Sequence, residues 1–166
     1  MSDTSDAKID VRRVQTHEWE ALRDTRLQAL ADSPDAFGTT YAEALARPER
    51  WWREWTRRSA EGDDQAMFLA WKEGAPVGIA GAFRTGRRID VISMWTSPEQ
   101  RGQGIGWALL DAAIAFAGEA DVHLSVTETN SGARRFYERY GFVATGSTEP
   151  LRSNPSLTIH ELVLRR

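Results

Sequence analysis

The chain has 166 residues and no cysteine, which is long enough for one domain with a substantial core and excludes disulfides, thiolate metal sites and a cysteine nucleophile. Its formal charge of −3, from 21 Lys and Arg against 24 Asp and Glu, gives no overall drive toward nucleic acid or an anionic membrane. The polar start MSDTSDAK lacks the apolar segment of a signal peptide, and no apolar run reaches the roughly 18 residues of a membrane helix. We therefore expect a cytoplasmic protein whose residues 1–6 are disordered.

In chain order, residues 7–14 are predicted to form a strand and His17 to Ala31 a helix, with Trp19, Leu22, Leu27 and Leu30 broadly at helical spacing. Ser33-Pro34-Asp35 stops it. Between Phe37 and Ala60 a second helix is expected to begin near Pro48, a residue tolerated in a first turn. Its Trp51, Trp52 and Trp55 suit either a core-facing stripe or a wall of a substrate cleft. Residues 67–72 and 77–83 flank Glu73-Gly74-Ala75-Pro76 as a hairpin, and 89–96 follows a further turn at Thr85-Gly86, giving three antiparallel strands in succession.

Ile105, Leu109, Ala112, Ala113 and Phe116 recur at helical spacing over 104–117. Val122, Leu124 and Val126 then alternate with His123, Ser125 and Thr127 as a strand, and a strand, helix, strand order implies a parallel crossover. A short helix capped by Asn130 or Ser131 places Ala133, Phe136, Tyr137 and Tyr140 on one face and ends at Gly141. Residues 142–146 and 158–164 complete the sheet, joined by a loop over 147–157 that holds two prolines. No repeat, low-complexity run or linker divides the chain, so one mixed α/β domain over 1–166 is expected.

The stretch PEQRGQGIGW, residues 98–107, lies where a strand gives way to a helix. The start of a helix leaves backbone N–H groups free, and such a turn suits an anion. A dinucleotide fingerprint would need glycine at 107, where Trp107 stands, and a Walker loop would need G-K-[S/T]. What remains is Arg101-x-x-Gly104-x-Gly106, with Gly102 added. It resembles the acetyl-CoA signature [Q/R]-x-x-G-x-[G/A] of the GCN5-related N-acetyltransferase (GNAT) family. LSVTETNSGARRFYERYGF, residues 124–142, is similar to that family's second motif, with an L-x-V strand, an Asn, an Ala, a Tyr and a terminal G-F. The likeness is sharp over 88–146 and topological elsewhere. It implies a mostly antiparallel sheet of six to seven strands, about four flanking helices, and fourth and fifth strands that splay around the cosubstrate.

Residue by residue, the resemblance implies acetyl-CoA as cosubstrate with main-chain contacts from Met94, Trp95 and Thr96. It implies a pyrophosphate cradle from Arg101, Gly102, Gln103, Gly104, Ile105 and Gly106, and further contacts from Asn130 and Ala133. The side chains of Met94 and Trp95 stand open between core packing and lining the cleft, and Asn130 between capping and cofactor contact. Tyr137 matches the family's general acid: a donor at the sulfur eases departure of a thiolate whose thiol has a pKa of ~8.5. The amine must lose a proton, and Glu128 is assigned as base, with Asp90, His123 and Glu43 as further candidates. Relatives that acetylate ribosomal proteins carry an acidic residue in the L-x-V strand, where this chain has Ser125.

Without cysteine, direct transfer in a ternary complex is the economical mechanism. His17 and His160 lack the H-E-x-x-H spacing and no G-x-S-x-G occurs, so neither a metal nor a serine hydrolase site is expected. The reading is an acetyl-CoA-dependent N-acetyltransferase acting on a small-molecule amine. A peptide or protein amine is the alternative within enzymes, and a non-catalytic acyl-CoA sensor, which could dispense with Tyr137, is the alternative of another class. Substrate contacts are expected from 33–60 and 147–157. A homodimer is compatible with the aromatic-rich sequence.

Overall fold

The computed structural model describes residues 7–166, so the disorder expected of residues 1–6 lies outside the described part. Strand β1 (Ile9–Arg13) pairs antiparallel with β2 (Gln65–Lys72). From β2 the chain reverses at Glu73 and Gly74, whose φ values of 51° and 77° are both left-handed. Two such residues make the primed turn that suits the twist of a ribbon, and β3 (Ala75–Thr85) follows directly. A further turn through Gly86 leads into β4 (Arg88–Thr96), so the three successive antiparallel strands form as expected.

These four strands belong to a seven-stranded sheet ordered β1-β2-β3-β4-β5-β7-β6, with β5 at Asp121–Thr127, β6 at Val143–Leu151 and β7 at Asn154–Leu164. Among the described residues only β4 and β5 run parallel, and their pairing stops after Arg88↔Asp121, Ile89↔Val122 and Asp90↔His123. Beyond Asp90 the two strands separate, which is the expected splay.

Both faces of the sheet are covered. Helix α1 (Trp19–Asp32), a short α2 (Tyr41–Leu45) and α3 (Glu49–Glu61) lie on one side. Helices α4 (Ile105–Ala117) and α5 (Ser131–Tyr140) lie on the other. Burial of β2 follows from this sandwiching: Ala66, Phe68 and Ala70 face the α4 core, while Met67 and Leu69 face the core of α1 and α3. The tryptophans of α3 resolve as core. Trp52 is 1% exposed, with Trp51 and Trp55 clustered on it at ring separations of 4.9 and 5.8 Å.

The loop expected over 147–157 is instead the far half of a long hairpin, in which β6 and β7 are joined at Arg152-Ser153. Its prolines misdirect the reading. Pro150 sits on β6, the edge strand, where a missing N–H costs no ladder bond, and Pro155 is next to the turn. Among the described residues no helix is long and apolar enough to cross a membrane.

Candidate active site

The separation of β4 from β5 is reinforced by a bulge. Gly81 pairs with Ile92 and Ile79 with Trp95, so Ser93 and Met94 stand together opposite Ala80. Ser93 has φ 59°, a left-handed conformation that costs a non-glycine residue on the order of 1–2 kcal/mol. Two cavities open along the splayed strands, one of about 730 Å³ toward the glycine turn and one of about 410 Å³ toward α1. Met94, Asn130, Ala133 and Tyr137 line both.

In the larger cavity the glycine turn is main chain with little cover. Gly102 and Gly104 adopt φ of 80° and 82°, and Gly104 is the residue from which α4 starts. Among the described residues the N–H groups from Gly102 to Trp107 donate to no backbone carbonyl, and the first bond back to the turn is Ala108 N–H to Gly104 C=O at 3.1 Å. Free donors at a helix start attract anions. Of the residues read as cofactor contacts, Met94, Trp95, Thr96, Arg101, Gly102, Gly104, Ile105, Gly106, Asn130, Ala133 and Tyr137 line this cavity.

Gln103 is not among them, and its side chain accepts from Lys72 Nζ at 3.3 Å. Arg101 lines the cavity but its guanidinium is engaged, donating to Asp32 Oδ2 at 3.0 Å and to the Thr96 carbonyl at 3.1 Å. It braces the turn. Trp95 is buried in the core and donates its indole N–H to the same Asp32 oxygen at 2.9 Å. Asn130 Oδ1 accepts from Ala133 N–H at 3.2 Å and so caps α5 while also facing the cavity.

Tyr137 occupies the wall between the two cavities. It is 8% exposed, packs on Phe136 and Phe142, and its hydroxyl has no hydrogen-bond partner in the protein among the described residues. Burial drives the phenol well above its usual pKa. The group is therefore a neutral donor at any physiological pH.

The smaller cavity is built from side chains of distant segments. Its roof is the tip of the β6–β7 hairpin, which is stapled to the chain after α1: Ser153 Oγ donates to the Phe37 carbonyl at 2.6 Å and Arg152 Nη1 to the Gly38 carbonyl at 2.9 Å. Thr127 Oγ1 adds a bond to the Asp35 carbonyl at 2.6 Å. Residues 36–39 and 149–152 thus meet across the space, the two regions from which substrate contacts are expected.

At the same cavity lies Arg26, 7% exposed. Nη1 donates to Ser93 Oγ on the bulge, the Nε–H has no partner, and the guanidinium sits 5.7 Å from the Phe37 ring and 5.6 Å from that of Trp55. Among the described residues no carboxylate lies within 4 Å of it. Burial, aided by nearby Arg47, lowers its pKa to about 10, so it stays cationic at neutral pH.

Glu128 is not brought to either cavity. It is exposed beyond the end of β5 and its Oε1 accepts from Thr158 N–H at 3.2 Å, extending the pairing toward β7. Asp90 and Glu149 are the carboxylates that line the smaller cavity, and Asp90 is ion-paired with Arg88 at 2.8 Å. His123 faces Glu161, and Glu43 faces Arg152. Among the described residues no cluster of His, Asp or Glu is arranged to hold a metal.

The model of the acetyltransferase (GNAT) family matches residues 19–142. The chain belongs to that family. An uncharacterized N-acetyltransferase of Methanocaldococcus jannaschii is 31% identical over 103 residues, covering 56% of this chain and 44% of the relative. The chain spans between 44% and 63% of the length of the curated relatives it matches. A GNAT acetyltransferase from Streptococcus pneumoniae superposes with a TM-score of 0.81 over 95% of this chain and 98% of that one, at 18% identity. An N-acetyltransferase from Thermoplasma acidophilum, solved in complex with coenzyme A, has a TM-score of 0.63 at 18% identity, over 93% and 98% of the two chains.

For this GNAT protein the family match includes the glycine turn and Tyr137 but ends at 142, before the hairpin that roofs the smaller cavity. Arg26 is the functional candidate missed in the sequence. A signal was present: Leu22, Arg26 and Leu30 fall at i, i+4 and i+8, so an arginine occupies the buried stripe of α1.

Proposed function

We propose that the protein is an acetyl-CoA-dependent N-acetyltransferase whose acceptor is a small-molecule amine. Support for the cosubstrate comes from the unpartnered donors between Gly102 and Trp107 beside a cavity of about 730 Å³, a volume in the range of ligand sites. When bound there, acetyl-CoA supplies an acetyl group activated as a thioester. The N–H groups of the turn would hold its pyrophosphate, with the left-handed Gly102 and Gly104 letting the backbone come close. Main chain of Met94 to Thr96, left without a partner strand on the edge from which β5 has separated, would run beside the pantetheine arm.

The chain's own residues account for the remaining chemistry. Tyr137, neutral and without another partner, would donate its hydroxyl to the sulfur as the bond to carbon breaks. Its pKa lies above the ~8.5 of a thiol, so complete proton transfer from the phenol runs uphill and the hydrogen bond itself supplies the stabilisation. A main-chain amide at the Ser93-Met94 bulge would receive the carbonyl oxygen as it gains charge. The proton lost by the amine is balanced by the one the departing thiolate gains, passed by water through the cavity that Glu149 and Asp90 line.

One observation carries the choice of acceptor size. The hairpin tip is tied to the segment after α1 by hydrogen bonds of 2.6 and 2.9 Å, which covers one side of a half-open pocket of about 410 Å³, and this supports a small molecule over a polypeptide. Purified protein with acetyl-CoA should release free thiol on a panel of small amines and far more slowly on lysine-containing peptides. Faster release on peptides would replace the small-molecule acceptor with a peptide, and binding without release on any amine would favour a sensor.

A further inference from the structure

We propose that the acceptor amine also carries a carboxylate, and that Arg26 is the residue that receives it. The inference deepens the acetyltransferase reading and rests on it for the identity of the reacting amine. A buried charge is costly unless it is paired and hydrogen-bonded. Among the described residues Arg26 has no ion-pair partner and is only partly hydrogen-bonded. Its only side-chain partner among the described residues is the neutral hydroxyl of Ser93, its Nε–H is buried and without an acceptor there, and two aromatic rings flank it. Rings temper the cost of a cation but do not saturate the fork of N–H donors.

The carboxylates around this cavity do not serve it. Asp90 and Glu149 line the same cavity, yet Asp90 is taken by Arg88, and neither lies within 4 Å of Arg26. Glu43 pairs with Arg152 at 3.0 Å. Arg47 adds to the positive potential at Arg26 instead of relieving it. An arginine held cationic, short of acceptors and facing a cavity is suited to a planar anion that arrives with the ligand. A single guanidinium matches one carboxylate, while Glu149, which lines the same cavity, would repel a dianionic phosphate and attract an ammonium. The cavity is therefore complementary to a molecule with both charges, an amino acid or a close homologue.

The acceptor's carboxylate would be anchored beside the Ser93 bulge, next to the main chain proposed to receive the carbonyl oxygen. That places the amine of the same small molecule within the shared space of the two cavities, bounded by Met94 and Tyr137. Arg26 thereby acts in substrate positioning and specificity and takes no proton.

The test compares the free amino acids, β-alanine and γ-aminobutyrate with their C-terminal amides, using thiol release for turnover and the side-chain Nε–H resonance of Arg26 in the coenzyme A-loaded wild-type protein for binding. Acids should exceed their amides in kcat/KM by about 10- to 100-fold, as a charge-assisted hydrogen-bonded pair supports, and only acids should shift the resonance. In Arg26→Gln the ratio should collapse to within about threefold of one, with Arg26→Lys in between. The wild-type titration keeps the test valid if a variant fails to fold. Equal or better turnover of the amides, or a resonance indifferent to carboxylate, overturns the proposal and leaves Arg26 as a brace for the bulge, with acetyl transfer intact. A carboxylate-selective shift without thiol release on any amine supports the anion site and sinks the transferase reading, and absence of both sinks both.

Discussion

The larger cavity is walled mainly by two short stretches of chain, residues 94–107 and 130–139, and offers an anion its backbone N–H groups. The smaller cavity is assembled from side chains that begin far apart: Arg26 reaches Ser93 across 67 positions, Thr127 reaches Asp35 across 92, and Ser153 reaches Phe37 across 116. A site made of main chain depends on where glycine is allowed and on where a helix starts, so it can recur in any chain that forms that turn. A site made of distant side chains changes whenever one contributing element changes. The two halves therefore carry different kinds of information, what is common to the family on one side and what is particular to this chain on the other.

Tyr137 belongs to both halves, and removing its hydroxyl is the sharpest way to separate binding from turnover. Tyr137→Phe should lower kcat by about 100-fold, the lower end of what a positioned acid contributes, while acetyl-CoA affinity stays within about threefold. Thermal stability should be unchanged, because the hydroxyl bonds to nothing in the protein among the described residues and the ring keeps its contacts with Phe136 and Phe142. Unaltered kcat in a steady-state thiol assay would remove Tyr137 from the chemistry and make the boundary between the halves a matter of packing alone.

Gly104→Ala addresses the main-chain half by itself. A Cβ at this position would touch nothing within 4 Å, yet φ is 82°, so the substitution adds strain without crowding. The cost of roughly 1–2 kcal/mol for a left-handed alanine should appear as about a tenfold rise in the Kd of acetyl-CoA by calorimetry. Carboxylate-dependent shifts at Arg26 should persist. Loss of both would show that the halves are not independent.

The same contrast explains what could be read in advance. The hairpins, the parallel crossover, α4 and the glycine turn were legible because each depends on local spacing: Glu73-Gly74 for a primed turn, Ile105 and Leu109 for a helix face, Gly104 for a helix start. The hairpin over 143–164 was not, since prolines signal a loop unless one knows that β6 lies at the sheet edge, and edge position is a property of the finished fold. The surroundings of Glu128 were not legible for a related reason: its bond to Thr158 N–H depends on how β7 registers against β5, which is a property of the finished fold. Arg26 was hidden among many arginines, and only its place on the Leu22–Leu30 stripe marks it. Ser93 gave no sign of its left-handed backbone, because nothing in the sequence requires a serine to bulge.

Asp32, at the end of α1, connects the halves, and its effect should be the smallest and the most dependent on pH. Its Oδ2 accepts from the indole of Trp95 at 2.9 Å and from Arg101 at 3.0 Å, tying the helix that carries Arg26 to the brace of the glycine turn. The Trp95 N–H foremost, then the Ser33 hydroxyl and Arg101, hold this carboxyl below its usual pKa. A depressed folded-state pKa means stability that is present above the unfolded value of about 3.9 and is lost as pH falls through the folded one. Wild-type protein should therefore lose more stability between pH 6 and pH 3 than Asp32→Asn does. The difference should be at most about 1 kcal/mol, because the carboxylate is partly exposed and screened. Denaturant midpoints across that range provide the measurement. Parallel acid sensitivity in the two proteins would mean that Asp32 stabilises neither half and that Trp95 and Arg101 are held by packing instead.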